Sequence, residues 1–166
     1  MTAAGQVRGE IVGVLRRAGL DAAPAYEEEF FRERSEPVIA VGAKQTELTE
    51  AGLMHYLGEQ YDAESGRVVE VYGRKLKMAV TLDAYAPRRK GARGCERTAE
   101  AASEALLAGR IDGLTPVALD WERTEWDKEY GMFVRRGTAH CTAYFVATAD
   151  EESAVLTEFI LKGVMQ

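Results

Sequence analysis

Two histidines and two cysteines are the side chains of this 166-residue chain best suited to chemistry. His55 stands between Met54 and Tyr56, and His140 directly precedes Cys141. A thiol–imidazole dyad needs both side chains on one side of the backbone, whereas neighbours in a strand point to opposite faces. His140 and Cys141 therefore read as a surface imidazole beside a core thiol, and His55 as part of a contact surface. Cys95 has no second Cys or His at a metal-ligand spacing. In a reducing compartment it and Cys141 are expected to be buried free thiols. Glu27, Glu28 and Glu29 offer carboxylates, but consecutive residues of an extended chain diverge, so the run reads as solvated. There is no Gly-rich phosphate loop and no Gly-x-Ser-x-Gly elbow. The expectation is a protein that is not an enzyme and that uses no metal and no cofactor.

The elements that would position these residues are legible from periodicity. Val7, Ile11, Val14, Leu15 and Ala18 make one apolar stripe, which predicts a helix over 6–18 with Arg16 and Arg17 at its C-terminal end and Gly19 beyond it. Val38 to Ala43 read as a buried strand that continues as a polar extension over 44–51. Residues 52–66 carry Gly52, Gly58, Ser65 and Gly66 and read as a loop. From Leu76 the apolar residues Met78, Val80, Leu82 and Ala84 alternate with Lys77, Thr81, Asp83 and Tyr85, a strand with one face on a core and one wetter. Val68 to Tyr72 begin this strand or a preceding one, and Pro87 stops it.

A second helix is expected over 92–108, with Cys95, Ala99, Ala102 and Leu106 as a small-residue buried face and Gly109 closing it. Val117 to Trp121 and Phe133 to Ala147 then form an antiparallel hairpin across a charged turn at 123–130. In the second of these strands Phe133, Gly137, Ala139, Cys141, Ala143, Phe145 and Ala147 share a face. Helices do not alternate regularly with strands, which argues against a parallel doubly wound sheet. The predicted fold is a single α+β domain over 1–166. It has a mostly antiparallel sheet with two helices packed on one face, a long extended hairpin over 44–75 and an apolar C-terminal tail over 150–166.

Composition agrees with one compact domain: 46% of the residues are hydrophobic and 29% charged. The formal charge of −6 argues against nonspecific nucleic-acid binding. The first residues lack the basic-then-apolar pattern of a leader, and no apolar run approaches the roughly 20 residues that cross a bilayer. Charge is unevenly distributed. Arg88, Arg89, Lys90, Arg93 and Arg97 face only Glu96, a local balance of +4, whereas 27–36 and 120–129 each stand at −3, the latter through residues such as Glu125 and Asp127. Such opposed blocks suit contacts between copies of one chain. Leu53, Met54, Tyr56, Leu57 and Tyr61 add apolar bulk to the same argument. Covering about 400 Å² of such surface is worth about 10 kcal/mol before association costs.

In order of elements, and in the stretches Tyr56-Leu57-Gly58, Val71-Tyr72-Gly73, Ala84-Tyr85-Ala86-Pro87 and Gly94-Cys95 with the closing pair of strands, the chain resembles the tail terminator (tail completion) proteins of tailed bacteriophages. The likeness spans roughly residues 5–148. It implies a homo-oligomeric ring, commonly six-membered, that caps the tail tube, ends its polymerisation and offers a surface to the head connector. The place implied is the tail of a virion assembled in the bacterial cytoplasm. The partners implied are further copies of the chain, the tube protein and the connector, with no specific nucleic acid and no membrane. The 44–75 hairpin, longer than in compact members, would reach over a neighbouring subunit or onto a sheath. The interface residues expected on this basis are Leu53, Met54, Tyr56, Leu57, Tyr61, Arg88, Arg89, Lys90, Arg93, Glu125 and Asp127. Two other readings stay open: a different connector or baseplate component, and a small-ligand domain or enzyme whose cavity is lined by Tyr72, Tyr85, Trp121 and Tyr144.

Overall fold

A computed structural model describes residues 3–25, 34–50, 56–109, 111, 113–149 and 160–161. The apolar stripe near the N-terminus forms helix α1 (Ala3–Arg17), which buries Val7, Ile11, Val12, Val14 and Leu15. Its end is a Schellman turn: Gly19 N–H donates to the Arg16 carbonyl at 3.0 Å and Leu20 N–H to the Leu15 carbonyl at 3.1 Å. Gly19 has φ 83°, a left-handed conformation that a side chain would oppose.

The chain then runs through β1 (Ala22–Pro24), β2 (Val38–Glu50), β3 (Tyr56–Asp62) and β4 (Arg67–Pro87). A 3-10 turn at Arg88–Lys90 leads into α2 (Gly91–Ala108). β5 (Leu114–Trp121), β6 (Glu125–Asp127), β7 (Met132–Ala149) and β8 (Ile160–Leu161) complete it. These strands make one eight-stranded sheet in the order β1-β2-β4-β7-β5, with β3 added to β4 and with β6 and β8 added to β7. Only β1 with β2 is parallel. The fold is α+β and dominated by its sheet, as the periodicities imply.

β4 is the spine. Its 21 residues pair with β7 along nearly their whole length, from Glu70 opposite Ala149 to Pro87 opposite Met132. On its other side β2 covers Arg74 to Tyr85 and β3 covers Arg67 to Tyr72, so β2 and β3 follow one another along one edge. Two residues read as loop in the sequence, Tyr56 and Tyr61, thus belong to a strand. Glycines and a register shift at Tyr56/Gly58 mask the alternation there. The charged turn at 123–130 likewise contains the short strand β6, which pairs with Met132 to Val134.

One large apolar cluster joins Ile11 and Leu15 of α1, Ala102 and Leu106 of α2, and Leu76, Met78, Val80, Leu82, Ala139, Cys141, Ala143 and Phe145 of the sheet. These sheet residues are alternate positions, so they share a face. Small residues bring the parts close. A Cβ on Gly109 would stand 2.6 Å from the Ala105 carbonyl oxygen and 2.9 Å from a Val14 methyl. Gly109 has φ −69°, so close approach and not a left-handed turn is what requires glycine at this helix end.

A second cluster forms on the opposite side of the strands from Val38, Ala40, Tyr85 and Val134, with Tyr130 and Met132 against it. The alternation expected for β7 is present, with Gly137, Ala139, Cys141, Ala143, Phe145 and Ala147 buried on one face, and the second cluster adds a buried residue on the other. Val134 is buried on the second side, while Phe133 stays half-buried and meets the Trp126 ring edge-on at 4.9 Å. Of the expected C-terminal tail, Ile160 and Leu161 pair with Val146 and Phe145 of β7. The rest of 150–166 lies outside the described residues.

Candidate functional site

The histidine and cysteine of β7 lie as strand geometry requires. Cys141 is buried in the main cluster, and His140 is exposed on the other side, its Nε2 3.4 Å from the Asp120 carboxylate. Beside it a shallow concavity of roughly 320 Å³ is lined by Glu47, Lys77, Ala79 and Thr142. Cys95 is also buried, its thiol donating to the Ala84 carbonyl at 3.3 Å. Burial pushes both thiols up to about 11, which keeps them protonated and poor nucleophiles at neutral pH. His55 and the Glu27–Glu28–Glu29 run lie outside the described residues, as do Leu53 and Met54. Among the described residues no three His, Cys, Asp or Glu side chains are placed to hold a metal ion. No helix of the described residues is long and apolar enough to cross a membrane.

The four aromatic residues proposed to line a cavity do not meet. Trp121 packs against the main cluster and donates from Nε1 to the Ser103 hydroxyl at 2.8 Å. Tyr85 belongs to the second cluster, on the other side of the sheet, and meets the Tyr130 ring edge-on at 5.9 Å. Tyr144 has the Lys75 ammonium over its ring at 5.9 Å. Tyr72 donates its hydroxyl to Glu70 at 2.6 Å and meets the Tyr56 ring at 5.8 Å. The Glu70 hydrogen bond, with burial after it, pushes the Tyr72 phenol above its ordinary range.

The apolar candidates gather on the β3–β4 hairpin. Tyr61 is 65% exposed, Tyr56 41% and Val68 49%, while Leu57 is half-buried. Tyr61 stands opposite Val68 and Tyr56 opposite Tyr72, alternate positions of β4, so these side chains form a stripe on one side of the hairpin. No described residue from Tyr56 to Gly73 belongs to either apolar cluster. The turn at its tip is held by Asp62, whose carboxylate accepts from the Glu64 and Ser65 amides at 3.2 Å each.

The charge blocks are partly neutralised within the chain. Glu36, just before β2, reaches Arg89 and Lys90 at 3.1 Å each, and the hydrogen bond from Lys90 holds its carboxyl below the usual range. Glu125 pairs with Arg123 at 3.2 Å, and Arg136 lies 3.7 Å from Glu125 and 3.6 Å from Asp127. Asp127 also accepts from the Glu129 and Tyr130 amides, at 2.9 and 3.2 Å. Arg89, Lys90, Glu125 and Asp127 thus already have partners within the chain. Side by side in the sheet, β2 and β4 end with Glu36 beside the 3-10 turn, and β6 lies along β7 beside Arg136. Arg88 and Arg93 are different: both are exposed and neither has an ion pair among the described residues.

One arrangement is not evident from the sequence. Asp83, read as a solvated residue on the wetter face of β4, is half-buried opposite Arg136 of β7. Burial pushes its carboxyl up to about 6; Arg136 pulls it down and Glu122 pushes it up. The phenol of Tyr85 is pushed up to about 12 by burial and by the charges of Asp83 and Asp127. The sequence signal is the apolar run from Tyr130 through Met132 to Val134 where the charged turn ends. It closes the second cluster over this end of the sheet. A scan against protein-family models finds no match for the chain, and a search of curated proteins finds none.

Proposed function

We propose that this chain is a structural assembly protein of the tail-terminator kind. Copies dock side by side into a ring that caps a tail tube, ends its polymerisation and presents a face to the head connector. The observation that carries the reading is the β3–β4 hairpin. It extends the sheet as an arm with no residue in either apolar cluster, yet it carries Tyr56, Tyr61 and Val68 exposed on one side. Beyond Glu70, where pairing with β7 stops among the described residues, only β3 and β4 remain, and a two-stranded ribbon is marginally stable in water by itself. Covering its apolar stripe with another subunit supplies what the chain's own core does not. Among the described residues β3 pairs with β4 alone, so its outer edge also offers unpaired N–H and C=O groups to a partner.

The experiment is tube assembly. Phage tail-tube protein is polymerised with and without this chain, and tube lengths and ends are imaged. The reading expects bounded lengths and a ring of extra density at one end. Unchanged length distributions with bare ends at every ratio would overturn it.

A further inference from the structure

We propose that the ring contact is an arm-on-shoulder dock, in which the hairpin tip of one copy lies on the basic shoulder of the next. This rests on the assembly reading above and names the two surfaces. The arm ends in Glu59 and Glu64, both exposed and without an ion pair among the described residues, beside the stripe of Tyr56, Tyr61 and Val68. The shoulder is the start of α2, where Arg88, Arg93 and Arg97 are exposed. Their neighbours Arg89 and Lys90 are held by Glu36, whereas these three have no ion pair among the described residues.

The two surfaces cannot meet within one copy. They sit toward opposite ends of the 21-residue strand β4: Tyr56 lies opposite Tyr72 and the tip begins at Arg67, which at about 3.3 Å per residue puts the arm roughly 50–65 Å along the strand from Pro87. Acid and apolar surface at one end, cation at the other, is the pattern of a head-to-tail contact. Such a contact closes into a ring or runs on as a filament. Closure requires β4 to lie along the circumference of the ring and not along its axis. Complementary charge here sets register and orientation, with the aromatic stripe supplying the buried area.

The test is a charge swap read by native mass and by sedimentation at low and high salt. Arg93→Glu with Arg97→Glu should weaken self-association at least tenfold, and wild-type association should weaken as salt screens the contact. Adding Glu59→Arg and Glu64→Arg to the same chain should restore it. Circular dichroism verifies that each variant is folded, as expected for exposed positions. Association unchanged by the arginine reversals, or weakened but not restored by the arm reversals, overturns the dock. It leaves the ring itself standing, because the copies still assemble or the shoulder has a different partner. A wild-type chain that stays monomeric alone and with tail tubes overturns the assembly reading and the dock with it.

Discussion

Replacing Asp83 by Asn should stabilise the protein at neutral pH, although it removes a carboxylate that stands opposite an arginine in the sheet. Asp83 is half-buried, and burial raises its carboxyl from an ordinary 3.8 to about 6 in the folded chain. Arg136, its register partner, does not offset this, because Glu125 and Asp127 share the same guanidinium at 3.7 and 3.6 Å. A folded pKa above the unfolded one means that the folded state prefers the protonated acid. The penalty is absent below pH 3.8, grows as pH rises toward 6 and is constant above. The interval between 3.8 and about 6 corresponds to about 3 kcal/mol as a ceiling. The solvent contact that the side chain keeps lowers the expectation to about 1–2 kcal/mol. The assay is urea unfolding of wild type and Asp83→Asn at pH 8 and at pH 4. The variant should be more stable at pH 8, and the difference should nearly vanish at pH 4. A variant less stable at pH 8, or a difference independent of pH, would show that burial does not penalise the Asp83 carboxylate.

Other expectations follow from packing. Leu82→Ala removes a fully buried side chain from the main cluster and should cost about 2–5 kcal/mol, seen as a lowered melting temperature; no change would mean that the inner face of β4 is misassigned. Gly137→Ala places a Cβ 2.5 Å from a Trp121 ring carbon, so it should destabilise by about 1–3 kcal/mol and shift indole fluorescence. An unperturbed spectrum would count against that packing. Cys95 and Cys141, buried and with thiols pushed up to about 11, should resist thiol reagents at pH 8 until the chain is unfolded; rapid native labelling would contradict their burial.

The sequence carried the parts of the fold that one-dimensional patterns encode. Leu76, Met78, Val80, Leu82 and Ala84 alternate without interruption, and all are buried. The small face of α2 and the stripe of α1 were legible for the same reason, since each repeats over several turns. The pattern failed where the backbone breaks register. β3 was hidden by a shift at Tyr56/Gly58 and by Gly58 itself, which with the flanking Gly52 and Gly66 reads as loop. The second cluster was hidden because its members, Val38, Ala40, Tyr85 and Val134, come from three strands and sit in apolar runs such as Val38-Ile39-Ala40-Val41 and Met132-Phe133-Val134, where both faces are apolar and alternation does not separate them. For the candidate surface, the sequence located charge but not its partners. Nothing along the chain announces that Glu36 will neutralise Arg89 and Lys90 while leaving Arg93 open, because that depends on β2 and β4 lying side by side.

The account stands on copies of this chain docking to one another. Native mass measurement across a micromolar concentration series, with and without tail tubes, addresses that most directly. The expected result is one closed multi-copy species that loosens as salt rises. A single-copy mass at every concentration, with tubes present or absent, would contradict it.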